Sequence, residues 1–315
     1  MMMQSHRLAN NVSYHGRPCC RPNFISVLVS RKLSTGKPPS RQLLAVAPMM
    51  GHTDCHQRYL QRLISKKTVL YTEMVVAAAL LRSGVSEPRM RANFELENPV
   101  VLQLGGNDAA EMKLAAQLAV SYGYQEINLN IGCPSEKVAG ESGFGAALYL
   151  NPPLVAELAL AVYEATHKPA TIKCRIGVND HESYEELYNF IRIVSEVGKV
   201  EHFIMHARIA ILDPEFTPKN NRNIPPLKYD VVYRLIQDFP HLKFTLNGGI
   251  PNVKTVQELL KEHPQLEGVM VGRAIMANPF GWSRADSLLY KMKDPGAYKS
   301  NIIYCMNCPF GKQFQ

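Results

Sequence analysis

Cys133 is the residue of this chain whose setting most favours a chemical role. It closes the run Glu126–Pro134, in which apolar and polar residues alternate as in a half-buried strand before Gly132 and Pro134 end it. A lone cysteine is more often a small buried hydrophobic residue than a reactive thiol. Chemistry is favoured here because the other strand-like runs also end in polar residues.

Eight strand-like runs would position these residues. They span 43–50, 69–75, 99–106, 126–134, 169–177, 202–208, 243–250 and 268–275. Helices fit between them, for example Asp108–Tyr122 with Asp108 as N-cap and Pro152–His167 with Asn151 as cap. Eight such units over roughly 250 residues predict an α/β fold, a (β/α)8 TIM barrel rather than a doubly wound sheet.

In such a barrel the residues at the carboxyl ends of the strands build the active site. At those ends the sequence places Met49, Glu73, Gln103, Asn130, Cys133, Lys173, Arg175, His206, Arg208, Asn247, Gly248, Gly249, Gly272 and Arg273. A barrel with a purely structural role would need few of these polar ends.

The ends of the last two strands suggest a phosphate site. Asn247-Gly248-Gly249 and Gly272-Arg273 offer backbone amides that a phosphate can approach closely, and a guanidinium to pair with it. A glycine pair by itself could be only a tight turn, but barrels commonly bind phosphate after strands seven and eight. If the phosphate belongs to a flavin, Lys173, on an otherwise apolar strand, would face the pyrimidine edge of its ring rather than solvent.

Several runs make the chain resemble the tRNA-dihydrouridine synthases, and among them the subgroup that acts in the D-loop at positions 20 and 20a. The resemblance covers about residues 43 to 280, and its last run is specific to the subgroup. The runs are 47–50 with Thr53 and Asp54, 70–75, 102–106, 128–135, 144–146, 171–177, 206–208 and 218–227.

The resemblance implies roles for particular residues. FMN would be bound by Pro48, Met49, Met50, Gln103, Lys173, His206, Asn247, Gly248, Gly249, Gly272 and Arg273. Reduced FMN would deliver hydride to C6 of a uridine, Cys133 would protonate C5 as the catalytic acid, and NADPH would reduce the flavin again. Asn130 would hold the uracil edge through its amide, although it could equally be a turn residue at a strand end.

Flavin chemistry on a base requires that the base leave its stack and enter a pocket. Four basic residues are candidates for steering the RNA backbone there, and each could instead be a solvated surface charge. They are Arg175, Arg208, Lys219 and Arg222.

The net charge of +8 suits a nucleic-acid binder, but residues 1–42 carry seven basic residues and no acid. The barrel is therefore nearly neutral, and tRNA must bind at a local patch. The basic, Ser-containing segment 1–42 predicts a transit peptide for a mitochondrion or chloroplast, with a disordered cytosolic extension as the alternative. No apolar run is long enough to cross a membrane.

The remaining predictions concern the C-terminus and metals. We expect a barrel domain over 43–280 and a tail over 281–315, with one helix at Trp282–Met292 and without the helical domain that follows the barrel in the family. Cys305 and Cys308 form a CxxC pair, but no second pair completes four zinc ligands, so we expect no metal.

We therefore predict a monomeric, FMN- and NADPH-dependent reductase of uridine in tRNA. Two alternatives remain at this stage. One is a flavin barrel like dihydroorotate dehydrogenase, which oxidises a related pyrimidine. The other is a non-catalytic protein that binds flavin or RNA without turnover.

Overall fold

A computed structural model describes residues 41–296 and contains one sheet of eight parallel strands. The sheet order is β1-β8-β7-β6-β5-β4-β3-β2, so consecutive strands from β2 to β8 lie side by side, β1 lies beside β8, and β1 and β2 are the two edges of the sheet. The strands are β1 Leu44–Val46, β2 Leu70–Val76, β3 Val100–Gly105, β4 Ile127–Ile131, β5 Thr171–Arg175, β6 His202–His206, β7 Lys243–Asn247 and β8 Gly268–Val271.

A parallel bridge between Ala45 and Val69 joins β1 to the start of β2. There the Val46 N–H donates to the Val69 carbonyl at 2.8 Å, and the Val69 N–H donates to the Leu44 carbonyl at 2.9 Å. The bridge brings the two edges of the sheet together into a nearly closed barrel. The predicted (β/α)8 fold is confirmed.

Helices alternate with the strands. They are α1 Cys55–Ile64, α2 Ala77–Ser83, α3 Phe94–Glu97, α4 Ala109–Tyr122, α5 Pro152–Thr166, α6 Tyr184–Glu196, α7 Tyr229–Asp238, α8 Val253–Glu262, α9 Arg273–Ala277 and α10 Ala285–Tyr290. The two predicted caps are confirmed: Asp108 accepts from the Glu111 N–H at 2.8 Å, and Asn151 accepts from the Leu154 N–H at 3.3 Å.

Two predicted elements need correction. The eighth run was expected to stay extended to Ile275, but β8 ends at Val271 and Ile275 lies in α9, since the chain turns into a helix after Gly272. The expected helix Trp282–Met292 is a 3-10 turn at Pro279–Trp282 followed by the shorter α10. Short apolar runs at element ends do not distinguish a strand from a helical turn.

The alternation of residues in β4 and β5 sorts side chains between two environments. Ile127, Leu129 and Ile131 pack in the large apolar core between sheet and helices, as do Ile172 and Cys174. The residues between them point into the barrel, because successive side chains of a strand point to opposite faces. The barrel interior has its own small apolar cluster, formed by Ala45, Ala47, Val69, Tyr71, Val101, Ile204 and Met270.

The predictions for residues 1–40 and 297–315, including the transit peptide and the Cys305/Cys308 pair, lie outside the described residues. Across residues 41–296, no helix is both long and apolar enough to span a membrane. The same part of the chain contains no group of three or more His, Cys, Asp or Glu side chains placed to hold a metal ion.

Candidate active site

A cavity of about 650 Å³ opens at the carboxyl ends of the strands, within the size range of sites for small molecules and cofactors. All eleven residues expected to bind FMN line it, together with Cys133, Asn130, Arg175 and Arg222. Arg208 and Lys219 are not among the lining residues. The structure thus brings all eight strands together around one space, β2 through Met74.

Cys133 lies on the turn that follows β4, half-buried at the cavity wall. Its Sγ is 3.4 Å from the Ser135 hydroxyl, and its carbonyl accepts from the Ala146 N–H at 2.9 Å. Gly145 makes that contact possible: its φ is +65°, and a Cβ there would lie 2.7 Å from the Cys133 carbonyl oxygen. The Ala146 N–H therefore holds one side of the turn that carries the thiol.

Asn130 fixes the other side of this turn. Its Oδ1 accepts from the backbone N–H of Gly132 and of Cys133, each at 3.0 Å. Its Nδ2 donates to the Gln103 Oε1 at 3.0 Å. The amide is thus largely engaged within the protein, which supports the turn-residue interpretation. Contact with a uracil edge would have to use the remaining N–H of Nδ2.

A chain of side-chain hydrogen bonds continues from Gln103 into the barrel. The Gln103 Nε2 donates to the Asn128 Oδ1 at 2.8 Å, and the Asn128 Nδ2 donates to the Thr171 hydroxyl at 3.0 Å. Gln103 and Asn128 are buried, so their amides need partners within the protein. This series of hydrogen bonds fixes how the Gln103 amide faces the cavity. Sequence reasoning missed Asn128, whose inward position in β4 was the available signal.

Lys173 points into the cavity from β5, and its Nζ donates to the Asn247 Oδ1 at 3.1 Å. Asn247 in turn donates through Nδ2 to the Met270 carbonyl at 2.8 Å. Burial, with a smaller contribution from the positive charge of Arg175, lowers the pKa of Lys173 to about 8. This lysine is therefore a cation that a nearby negative charge would stabilise.

His206 stands at the end of β6, beside the glycine pair of β7. Burial first, and then the positive charge of Arg175 and Lys173, hold the pKa of His206 well below its usual value. Its imidazole is therefore neutral at physiological pH. Gly248 has a φ of +118°, and a Cβ there would lie 2.8 Å from the His206 Cδ2. The glycine lets the backbone pass close to the ring.

Arg273 lies at the end of β8, on the rim of the cavity. Its guanidinium donates to the Asn223 Oδ1 at 2.6 Å and to the Arg222 carbonyl at 3.1 Å. It therefore joins the end of β8 to the segment that carries Arg222.

The four basic residues expected to steer RNA occupy different places. Arg175 is 3% exposed and donates to three backbone carbonyls, so its placement does not support the expected contact with an RNA backbone. Arg208 donates to the Pro225 carbonyl, which also ties it to a neighbouring loop. Lys219 and Arg222 are exposed, and of these two Arg222 lines the cavity.

The charge of the cavity wall is one-sided. Lys173, Arg175, Arg222 and Arg273 line it, and no Asp or Glu of the described residues does. Such a wall favours an anionic ligand. Among the lining residues that sequence reasoning missed, His52 and Pro218 lie within or beside the runs that carry the resemblance. Those runs, extended to their neighbours, were the available signal.

Comparison with protein families finds a match over residues 45–306 to the family described as Dihydrouridine synthase (Dus). The chain is 44% identical over 260 residues to the tRNA-dihydrouridine(20/20a) synthase of Vibrio parahaemolyticus, which covers 82% of this chain and 77% of that protein. It is 44% identical over 262 residues to the protein of the same name from Escherichia coli K12, covering 83% of this chain and 74% of the relative.

Among solved structures, a complex of 2-naphthoyl-CoA reductase with 2-naphthoyl-CoA is similar in fold. The TM-score is 0.56 at 8% sequence identity, over 77% of this chain and 49% of the other. This likeness supports the barrel architecture alone.

Proposed function

The chain belongs to the dihydrouridine synthase family, and we propose that it reduces a uridine of tRNA to 5,6-dihydrouridine with bound FMN. It is an enzyme of an oxidoreductase family whose relatives are named tRNA-dihydrouridine synthases. The observation that carries the proposal is the placement of Cys133, on a turn fixed from both sides, at the wall of a cavity that collects cationic side chains.

The cationic wall of the cavity and the close backbone approach at Gly248 favour FMN. The left-handed backbone of Gly248 leaves close access at the end of β7, where a Cβ would strike His206. Arg273 stands at the neighbouring end of β8. These groups would hold the phosphate. Lys173 and Gln103 would contact the ring system from β5 and β3, and the remaining contacts would come from Pro48, Met49, Met50, His206, Asn247, Gly249 and Gly272.

Reduction of uracil adds a hydride to C6 and a proton to C5 across one double bond. Bound FMN, reduced by NADPH, would supply the hydride. Cys133 would supply the proton, since its Sγ lies at the cavity wall and a positioned side-chain acid speeds such a step. The Ser135 hydroxyl, 3.4 Å from Sγ, can orient the thiol.

The uracil must leave the tRNA stack to reach this thiol. Arg222, exposed and at the cavity wall, and Lys219, exposed three residues earlier, would meet the phosphates that flank it. The relatives' names specify positions 20 and 20a, and we extend those positions to this chain as part of the proposal.

Purified protein should be assayed with NADPH on tRNA from a strain that lacks dihydrouridine, with the modified positions mapped by mass spectrometry of nuclease fragments. We expect dihydrouridine at position 20 or 20a and FMN released on denaturation. Turnover of dihydroorotate without dihydrouridine formation would favour the alternative pyrimidine chemistry. Bound flavin with no turnover on either substrate would favour a non-catalytic protein.

A further inference from the structure

Arg175 is a buried cation held by backbone carbonyls. Its Nε donates to the Gly132 carbonyl at 3.1 Å, and its Nη1 donates to the carbonyls of Ile209 at 2.8 Å and Asn221 at 3.0 Å. Within residues 41–296 it forms no ion pair with a carboxylate. A buried charge is costly unless it is hydrogen-bonded, so these three bonds hold the connected chain segments to the end of β5.

The segments that Arg175 connects belong to two parts of the site. Gly132 immediately precedes Cys133, on the turn after β4. Ile209 begins the segment 209–222, which follows β6, and Asn221 precedes Arg222 at its end. One guanidinium, at the end of β5, therefore contacts both the chain beside the thiol and the chain beside the cationic wall residue.

Asn221 holds the interior of the same segment. It is fully buried, and its Oδ1 accepts from the Ile211 N–H at 2.8 Å. Its Nδ2 donates to the carbonyls of Ile211 at 2.9 Å and Phe216 at 3.2 Å. The side chain thus closes residues 211–221 into a loop, and the carbonyl of the same residue attaches that loop to Arg175.

We propose that Arg175 and Asn221 are positioning residues, which together make the segment 209–222 a fixed extension of the Cys133 turn. Through this connection the placement of Arg222 relative to the thiol is set before RNA binds. The proposal rests on the proposed function for its catalytic consequence. It gives Arg175 a role distinct from the contact with RNA that its charge suggested.

Asn221→Ala tests the loop 211–221 while leaving the Cys133 turn and its bond to Arg175 in place. The variant keeps the backbone carbonyl that Arg175 uses and removes the three side-chain bonds, so the loop should open more often. We expect tryptic cleavage after Lys219 to be about ten-fold faster and KM for tRNA to rise, while kcat and the alkylation rate of Cys133 stay near wild type. Asn220→Ala is the matched control, because within the described residues the Asn220 side chain makes no hydrogen bond.

Arg175→Lys tests the connection itself, since an ammonium cannot reproduce the planar fork that reaches three carbonyls. We expect both readouts to change: faster cleavage after Lys219, and a rate of Cys133 alkylation by iodoacetamide that shifts at least about three-fold. Alkylation of Cys55 in the same sample is the internal reference.

These readouts need no turnover, so they remain decisive if tRNA reduction is absent. Cleavage and alkylation unchanged in Arg175→Lys, with only ligand affinity lowered, would show direct ligand contact and overturn the proposal. Equal cleavage of the Asn221→Ala and Asn220→Ala variants would also overturn it. Should Arg175→Lys fail to fold, Arg175→Gln, whose amide can donate to fewer of these carbonyls, takes its place with the same two readouts.

Discussion

The side-chain oxygen of Asn130 accepts a 3.0 Å hydrogen bond from the backbone N–H of Cys133. The same oxygen accepts from Gly132 at the same distance, so one β4 side chain orients the turn that presents the thiol. The position of the proposed proton donor is therefore set by the strand from which it emerges.

Cys133→Ala should separate the two half-reactions. Without the thiol, C5 of uracil has no positioned acid, and we expect uridine reduction to fall about 10²-fold or more. Flavin content and flavin reduction by NADPH should stay near wild type. Stopped-flow absorbance follows the flavin, and mass spectrometry of tRNA follows the product.

Cys55→Ala is the control for this substitution, because Cys55 begins α1 and is not among the cavity-lining residues. It should leave both half-reactions unchanged. A parallel loss of both half-reactions in Cys133→Ala would instead make Cys133 a structural residue.

Asn130→Ala should disturb the thiol without removing it. Two backbone N–H groups lose their acceptor, and we expect uridine reduction to drop by about ten-fold or more, the scale on which misplaced catalytic groups act. Asn130→Asp keeps an oxygen for both N–H groups and should retain more activity than Asn130→Ala. If the two variants were equally impaired, a direct role of the amide N–H toward uracil would be favoured over turn orientation.

Lys173 predicts a pH dependence of flavin affinity. Burial lowers its pKa to about 8, and a negative ligand binds the protonated form better. Affinity for FMN should therefore be highest below pH 8 and fall as the pH rises through 8, because binding then requires uptake of a proton. Fluorescence titrations between pH 7 and pH 9 measure this fall.

Lys173→Met is the comparison for that titration. It removes the titrating group, so its FMN affinity should be lower at pH 7 and nearly constant up to pH 9. A decline of equal slope in both proteins would assign the pH effect to another group.

Gly248→Ala should reduce flavin affinity and stability together. The residue has a φ of +118°, and a Cβ would lie 2.8 Å from the His206 ring. We expect a loss of stability of about 1–3 kcal/mol and weaker FMN binding, measured by thermal denaturation and fluorescence titration. Gly84→Ala, at a φ of +55° with nothing within 4 Å of the added Cβ, should lower stability and leave FMN affinity unchanged.

Much of the architecture could be predicted from local patterns. Alternation in Glu126–Pro134 predicted a half-buried strand, which the structure places at Ile127–Ile131, and Asp108 and Asn151 predicted where α4 and α5 begin. Strand ends were less predictable, as Ile275 in α9 shows. Periodicity weakens over the last residues of an element, where the chain has fewer neighbours to define a face.

The number of βα units, the chemical types at the strand ends and the family resemblance could all be read from the amino-acid order, since they depend on residue order and side-chain type. What each group contacts depends on the folded chain. Arg175 has the charge to meet RNA, yet it is buried against three carbonyls, and Asn130 directs its oxygen to a turn. Hydrogen bonds and pKa values depend on neighbours brought from distant strands, and closure of the barrel brings those neighbours together.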